Sequence, residues 1–99
     1  GLAGLEKGRC RFTLRCRGAK GARILVDFEQ FPHREWRKPS AKQTAVFEMS
    51  GDAGQLFTQE VEIKPETVVM NLRIRTTADA AVSSPVFRKI QENNNRSQK

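Results

Sequence analysis

The sequence predicts an all-β protein, and within that class an immunoglobulin-like antiparallel β-sandwich. Six short runs alternate apolar with polar residues and follow one another about every ten residues along the chain. No stretch shows the period of about 3.6 residues that marks an amphipathic helix. Clean alternation is typical of antiparallel strands with one face on a core and the other in water. The 99 residues suffice for one such core but not for two.

The strands follow in order from this alternation. They are predicted at residues 9–17, 23–31, 44–50, 55–64, 67–76 and 85–90. Glycines indicate turns at 18–22 and 51–54. Residues 32–43 contain two prolines and no period, and residues 77–84 are small and polar, so both are predicted to be loops. The last strand begins at Pro85, which cannot donate to a ladder, and this favours an edge position.

The chain is predicted to hold one domain. The sandwich covers residues 9–90 and follows an N-terminal extension at residues 1–8. Residues 91–99 are almost entirely polar, a composition that predicts a disordered tail.

The charge balance favours anionic partners. Eighteen lysines and arginines stand against eleven acidic residues, which gives a net charge of +7. Such a surface attracts nucleic acid, an anionic membrane or an acidic protein face. No run approaches the roughly 18 apolar residues of a membrane-spanning helix, and no signal peptide is recognised.

The first predicted strand, RCRFTLRCR at residues 9–17, raises the main functional question. Its inward face is apolar, and its outward face carries four arginines: Arg9, Arg11, Arg15 and Arg17. One interpretation is a solvated ladder, answered by outward acidic residues of nearby strands: Asp27, Glu29, Glu60 and Glu62. The other is a binding face for phosphates or an acidic partner. The sequence favours the ladder for Arg11 and Arg15, and places anion binding in the loop at 32–43.

That loop combines basic residues with an aromatic one. Its candidate anion-binding residues are Arg34, Trp36, Arg37, Lys38 and Lys42. Interleaved cations and aromatic rings suit phosphate contact combined with base stacking. The competing interpretation, which the sequence favours for Trp36, is that the indole closes one end of the sandwich. A third outward basic pair, Arg73 and Arg75, lies on the fifth predicted strand.

No pattern in the chain predicts catalysis. His33 is the only histidine, and no nucleophile, paired carboxylate, glycine-rich phosphate loop or metal-binding pattern accompanies it. We therefore expect a non-enzymatic protein without cofactor, metal or small-molecule substrate.

The two cysteines bear on the cellular compartment. Cys10 and Cys16 lie six residues apart on one predicted strand, so their Cα atoms would be roughly 20 Å apart. A disulfide tolerates about 7 Å at most. Two free, inward-facing thiols predict an intracellular location, in the cytoplasm or nucleus.

Six segments, taken in order, resemble one known family. They are FTLRC at 12–16, ILVDFEQ at 24–30, REW at 34–36, KQTAVFEMSG at 42–51, IKPETVVMNLRIRTTAD at 63–79 and SSPVF at 83–87. This order resembles the C-terminal immunoglobulin-like (IPT/TIG) dimerisation domain of the Rel homology region in NF-κB and NFAT transcription factors. The chain departs from the family pattern in two places. Residues 1–8 replace the family's first strand, and Arg11 and Thr13 occupy positions that are apolar on the family's dimer face.

The resemblance implies a protein–protein interaction module that pairs with itself or a related chain and supports DNA backbone binding. Two alternatives from other classes remain open. One is a C2-like basic sandwich that binds an anionic membrane or a phosphoinositide. The other is a structural or assembly domain without a small ligand.

Overall fold

The computed structural model describes residues 2–3, 6–51, 53–77 and 80–90. Within these ranges the chain forms eight β-strands and no helix. The strands are β1 (Leu2–Ala3), β2 (Gly8–Gly18), β3 (Arg23–Phe31), β4 (Ala41–Glu48), β5 (Gln55–Ile63), β6 (Val69–Thr76), β7 (Ala80–Val82) and β8 (Val86–Lys89).

The strands build two antiparallel sheets. The first sheet has the order β1-β6-β3-β4. In the second sheet β2 is central, with β5 along one edge. Its other edge pairs with β8 beside Cys10–Thr13 and with β7 beside Cys16–Gly18. The predicted all-β class and antiparallel sandwich are confirmed.

The core lies between the central strands β2 and β3. The rings of Phe12 and Phe28 are fully buried and meet edge to face, with centroids 4.9 Å apart. Phe87 of β8 packs against both, at 5.3 Å from Phe12 and 6.1 Å from Phe28. Cys10 and Cys16 are buried free thiols on the inner face of β2, as predicted. Burial raises the pKa of both thiols, so neither is poised to react.

A buried glutamine joins the two sheets at one end of the sandwich. Gln30, near the end of β3, donates from Nε2 to the backbone oxygen of Glu62 at 2.8 Å. Its Oε1 accepts from the backbone nitrogen of Lys64 at 2.8 Å and from Thr67 Oγ1 at 2.6 Å. Each of these polar groups would otherwise be left near the core without a partner, which is costly.

Several strand boundaries differ from the sequence-based ones, and three of the differences change the architecture. Residues 80–82, predicted as part of a loop, form β7, because they pair with the C-terminal end of β2. Strand β4 begins at Ala41 rather than at residue 44, since Ala41 and Lys42 continue the ladder with β3. The extension at 1–8 contributes β1, which pairs with β6, and Gly8, which belongs to β2. The predicted tail at 91–99 lies outside the described residues.

The glutamine network predicts a specific stability effect. Gln30→Ala leaves a partly buried carbonyl and amide and a buried hydroxyl without their partner, so we expect a loss of about 1–3 kcal/mol in the free energy of unfolding. Urea denaturation measures this loss. Gln43→Ala is the control, because Gln43 donates a single exposed hydrogen bond to the Glu60 carbonyl, and we expect its effect to stay within about 0.5 kcal/mol. Equal losses in the two variants would contradict the assigned role of Gln30.

Candidate anion-binding surfaces

The candidate basic residues do not converge on one site. Arg11 and Arg15 lie on the outer face of the second sheet, and Lys42, Arg73 and Arg75 lie on the outer face of the first. These are opposite faces of a slab whose Cα atoms extend over 44 × 43 × 17 Å. The remaining candidates lie on the connection between β3 and β4, residues 32–40, which we call the basic loop: Arg34, Trp36, Arg37 and Lys38. These candidates therefore form three separate surfaces.

The outer face of the second sheet carries a row of cations that we call the arginine face: Arg9, Arg11, Arg15 and Arg17 of β2 with Arg88 of β8. At one end the register sets Arg9 beside Glu62 and Arg11 beside Glu60. Arg9 Nη2 donates to Glu60 Oε1 at 2.6 Å. This hydrogen bond and the Arg9 charge lower the pKa of Glu60. The predicted cross-strand ladder is thus present at this end.

The other end of the arginine face lacks such acidic neighbours. Arg15 pairs in register with Leu56, and Arg17 pairs with Ala81. Among the residues that the structure describes, neither arginine forms an ion pair. Arg11 stands between Glu60 on one side and Arg88 on the other. The arginine face therefore has acidic neighbours at the end that carries Arg9 and Arg11, and solvated arginines at the end that carries Arg15 and Arg17.

Asp27 and Glu29 do not compensate the charge of the arginine face, so this part of the sequence-based interpretation is wrong. Both belong to β3 of the first sheet, so they face away from the second. Asp27 was expected on a solvated face but is only 3% exposed. Its carboxylate accepts from Thr44 Oγ1 at 2.7 Å and from Arg75 Nη2 at 3.1 Å.

These contacts account for two of the three candidates on the first sheet. Arg75 is held by Asp27, and Lys42 Nζ lies 3.8 Å from Glu29 Oε2. The Thr44 hydrogen bond, with the nearby positive charge of Arg75, lowers the pKa of Asp27 although burial opposes this. Arg73 stands in register with Asp27 and forms no ion pair within the described part of the chain.

The basic loop is exposed. Trp36 is 55% exposed, so the prediction that it closes one end of the sandwich is wrong. Its backbone nitrogen donates to the His33 carbonyl oxygen at 3.3 Å, and this turn sets the two rings nearly parallel, with centroids 6.5 Å apart and planes at 15°. Arg34, Arg37 and Lys38 are exposed and form no ion pair with any described residue.

A shallow cavity of about 310 Å³ opens beside the basic loop, and we call it the loop cavity. Its walls are Pro32, His33, Arg34, Glu35 and Val68. Val68 falls within the strand predicted at residues 67–76, but it precedes β6 and is 43% exposed. Sequence reasoning missed this wall because the turn at 64–68 and the loop at 32–40 meet only in the folded chain.

Two other kinds of feature are absent from the described residues. No group of three or more His, Cys, Asp or Glu side chains among them could hold a metal ion. Within the same ranges no helix is long and apolar enough to cross a membrane.

Comparison with known proteins finds no matching family model, curated protein or solved structure. The resemblance to the Rel homology dimerisation domain therefore remains a prediction from the sequence.

The buried carboxylate predicts a pH dependence. Because the pKa of Asp27 is lower in the folded than in the unfolded chain, its charge stabilises the fold at neutral pH. That contribution is lost as the pH falls below about 4, through the lowered folded-state pKa. Urea denaturation at a series of pH values should show a steeper loss of stability for the wild type than for Asp27→Asn.

The matched control is Glu35→Gln, which removes an exposed loop carboxylate outside this network. It should keep the wild-type pH dependence. Parallel curves for wild type and Asp27→Asn would rule out the assigned role of the Asp27 carboxylate.

Proposed function

We propose that this chain is a non-enzymatic binding module that contacts the phosphate backbone of nucleic acid through its basic loop. The observation that carries the proposal is the half-exposed Trp36 among cations that have no ion-pair partner in the described structure. An indole in water exposes a large apolar surface, and in a binding loop that surface can stack on a base, which contributes about 1–3 kcal/mol per base.

The cations supply the complementary part of the interaction. Arg34, Arg37 and Lys38 lie within two residues of Trp36, so phosphates that flank a stacked base fall within reach of the same loop. Each phosphate contact releases condensed counterions, which makes binding depend on salt. Phosphate contacts position a ligand without reading its sequence.

The two sheet faces support this role less well. On the first sheet, Arg75 and Lys42 are paired with carboxylates. On the arginine face, Glu60 and Glu62 would meet an incoming polyanion beside Arg9 and Arg11. The basic loop has one acidic residue, Glu35, which leaves its cations in excess.

The test removes the loop cations together. Arg34→Ala with Arg37→Ala and Lys38→Ala should weaken binding to DNA, and should flatten the slope of log K against log salt by about two to three units. Fluorescence anisotropy with labelled DNA at several salt concentrations measures both quantities. The stability of the variant should change little, because exposed positions away from caps and cores rarely matter by more than about 0.5 kcal/mol.

The control removes equal charge elsewhere. Arg11→Ala with Arg15→Ala and Arg17→Ala lowers the net charge by the same amount but leaves the loop intact, and should retain most of the DNA affinity. Loss of binding in this variant alone would move the site to the arginine face and overturn the proposal. Binding of the wild type to phosphatidylserine vesicles but not to DNA would favour the C2-like membrane alternative instead.

Self-association is a second candidate function, supported by the outer face of the first sheet. Leu25 and Val46 are neighbours there across β3 and β4, and Val46 is 58% exposed. The face carries four basic and three acidic side chains: Arg23, Lys42, Arg73, Arg75, Asp27, Glu29 and Glu48. Such a nearly balanced face can meet a second copy of itself without the net repulsion that two arginine faces would suffer.

Sedimentation velocity tests this candidate. We expect the sedimentation coefficient of the wild type to rise with concentration. The coefficient of Val46→Asp should stay at the value of a monomer. Leu56→Asp is the control, since Leu56 is similarly exposed but lies on the second sheet. A wild type that stays monomeric at submillimolar concentration would remove self-association from the proposal.

We also propose an intracellular location, in the cytoplasm or nucleus. The support is that Cys10 and Cys16 are free thiols, as is usual in a reducing compartment.

A further inference from the structure

We propose that the loop cavity seats an unpaired nucleobase, so that the ligand of the basic loop is single-stranded nucleic acid. This inference rests on the proposed nucleic-acid function and adds the class of ligand. It starts from Val68, an apolar side chain that is 43% exposed on the wall of a cavity.

The position of Val68 is fixed by two hydrogen bonds to β3. Its backbone nitrogen donates to the Phe31 carbonyl oxygen at 2.8 Å. The preceding residue, Thr67, is buried and donates its hydroxyl to Gln30 Oε1. The turn that carries Val68 is therefore anchored to β3, next to the start of the basic loop. A wall held in this way is preformed, which lowers the cost of ordering on binding.

The chemistry of the walls suits a base. Val68 and Pro32 provide apolar surface for the flat faces of the ring, and the His33 imidazole adds an aromatic one. Arg34 can donate to a ring nitrogen or carbonyl, and Glu35 can accept from an exocyclic amino group such as that of cytosine. Glu35, the only acidic residue of the loop, would thus accept a hydrogen bond from the base, a role that phosphate binding alone does not explain.

Trp36 extends the site beyond the cavity. It follows Glu35 directly, and its indole is stacked on His33, which lines the cavity. A base in the cavity therefore leaves the neighbouring nucleotide close to the indole, and its phosphates close to Arg37 and Lys38. Bases in a duplex are paired and stacked, so they cannot enter a side pocket without being extruded, whereas single strands present them freely.

Intrinsic fluorescence gives a direct readout. Trp36 is the only tryptophan and the chain has no tyrosine, so quenching on titration reports this loop alone. The probes are a short oligodeoxycytidylate, an abasic strand with the same number of phosphates and a duplex of the same length, all at neutral pH. We expect the oligodeoxycytidylate to bind about tenfold more tightly than the abasic strand and the duplex.

The variants separate the cavity from the phosphate contacts. Val68→Ser should abolish most of the preference for the oligodeoxycytidylate while leaving affinity for the abasic strand unchanged. Val86→Ser is matched in chemistry and exposure, since Val86 is also 43% exposed but lies on the second sheet, and it should keep the preference. Glu35→Ala should also lower the ratio of the affinity for the oligodeoxycytidylate to that for the abasic strand, although loss of the negative charge raises both affinities. Circular dichroism checks that each variant folds.

The outcomes distinguish the two proposals. If the wild type binds all three probes equally and the loop triple-alanine variant binds none of them, the cavity does not hold a base but the basic loop still binds the phosphate backbone. No binding of any probe would overturn both. Indistinguishable behaviour of Val68→Ser and Val86→Ser would show that the cavity does not hold the base.

Discussion

The contact between Phe12 and Phe28 is the interaction on which the rest of the sandwich depends. Each ring projects from the central strand of its sheet, and the two meet edge to face at 4.9 Å with both side chains fully buried. Because side chains alternate along a strand, burying these rings determines which face of β2 and of β3 points outward. A slip of one residue in either strand would carry charged side chains into the core.

This constraint explains the distribution of charge. With Phe12 inward, Arg11 and its fellow arginines must lie on the outer face of the second sheet, and with Phe28 inward, Asp27 must lie on the outer face of the first. The two sets are therefore separated by the whole thickness of the molecule. Where these charges are paired, the partner lies in the same sheet: Arg9 pairs with Glu60, and Asp27 pairs with Thr44 and Arg75.

The end of the sandwich that carries the basic loop is organised by a polar contact instead. Gln30 satisfies backbone groups of the second sheet and the hydroxyl of Thr67, and so joins the end of β3 to the turn before β6. Its contacts set Val68 beside Pro32 and leave the loop free to project. The proposed binding site thus stands on a rigid base, while its cations and indole remain in water.

The sequence by itself determined what depends on local pattern. Alternation identified the six longer strands, the inward Cys10 and Cys16, and the outward arginines, because the period of two residues can be seen in each strand separately. It also excluded a disulfide between Cys10 and Cys16, since strand length alone separates them. The clustering of cations around Trp36 was likewise visible in consecutive residues. None of these conclusions required knowledge of which strands are neighbours.

Only the tertiary structure decided what depends on pairing between distant segments. Asp27 is buried because β4 and β6 flank it with Thr44 and Arg75, and residues 80–82 form a strand because β2 offers them an edge. The exposure of Trp36 and the cavity beside Val68 arise where two loops meet. Strand order joins residues that are far apart in the chain, and alternation is the same for every order, so the pattern of a single sequence contains no information that selects one.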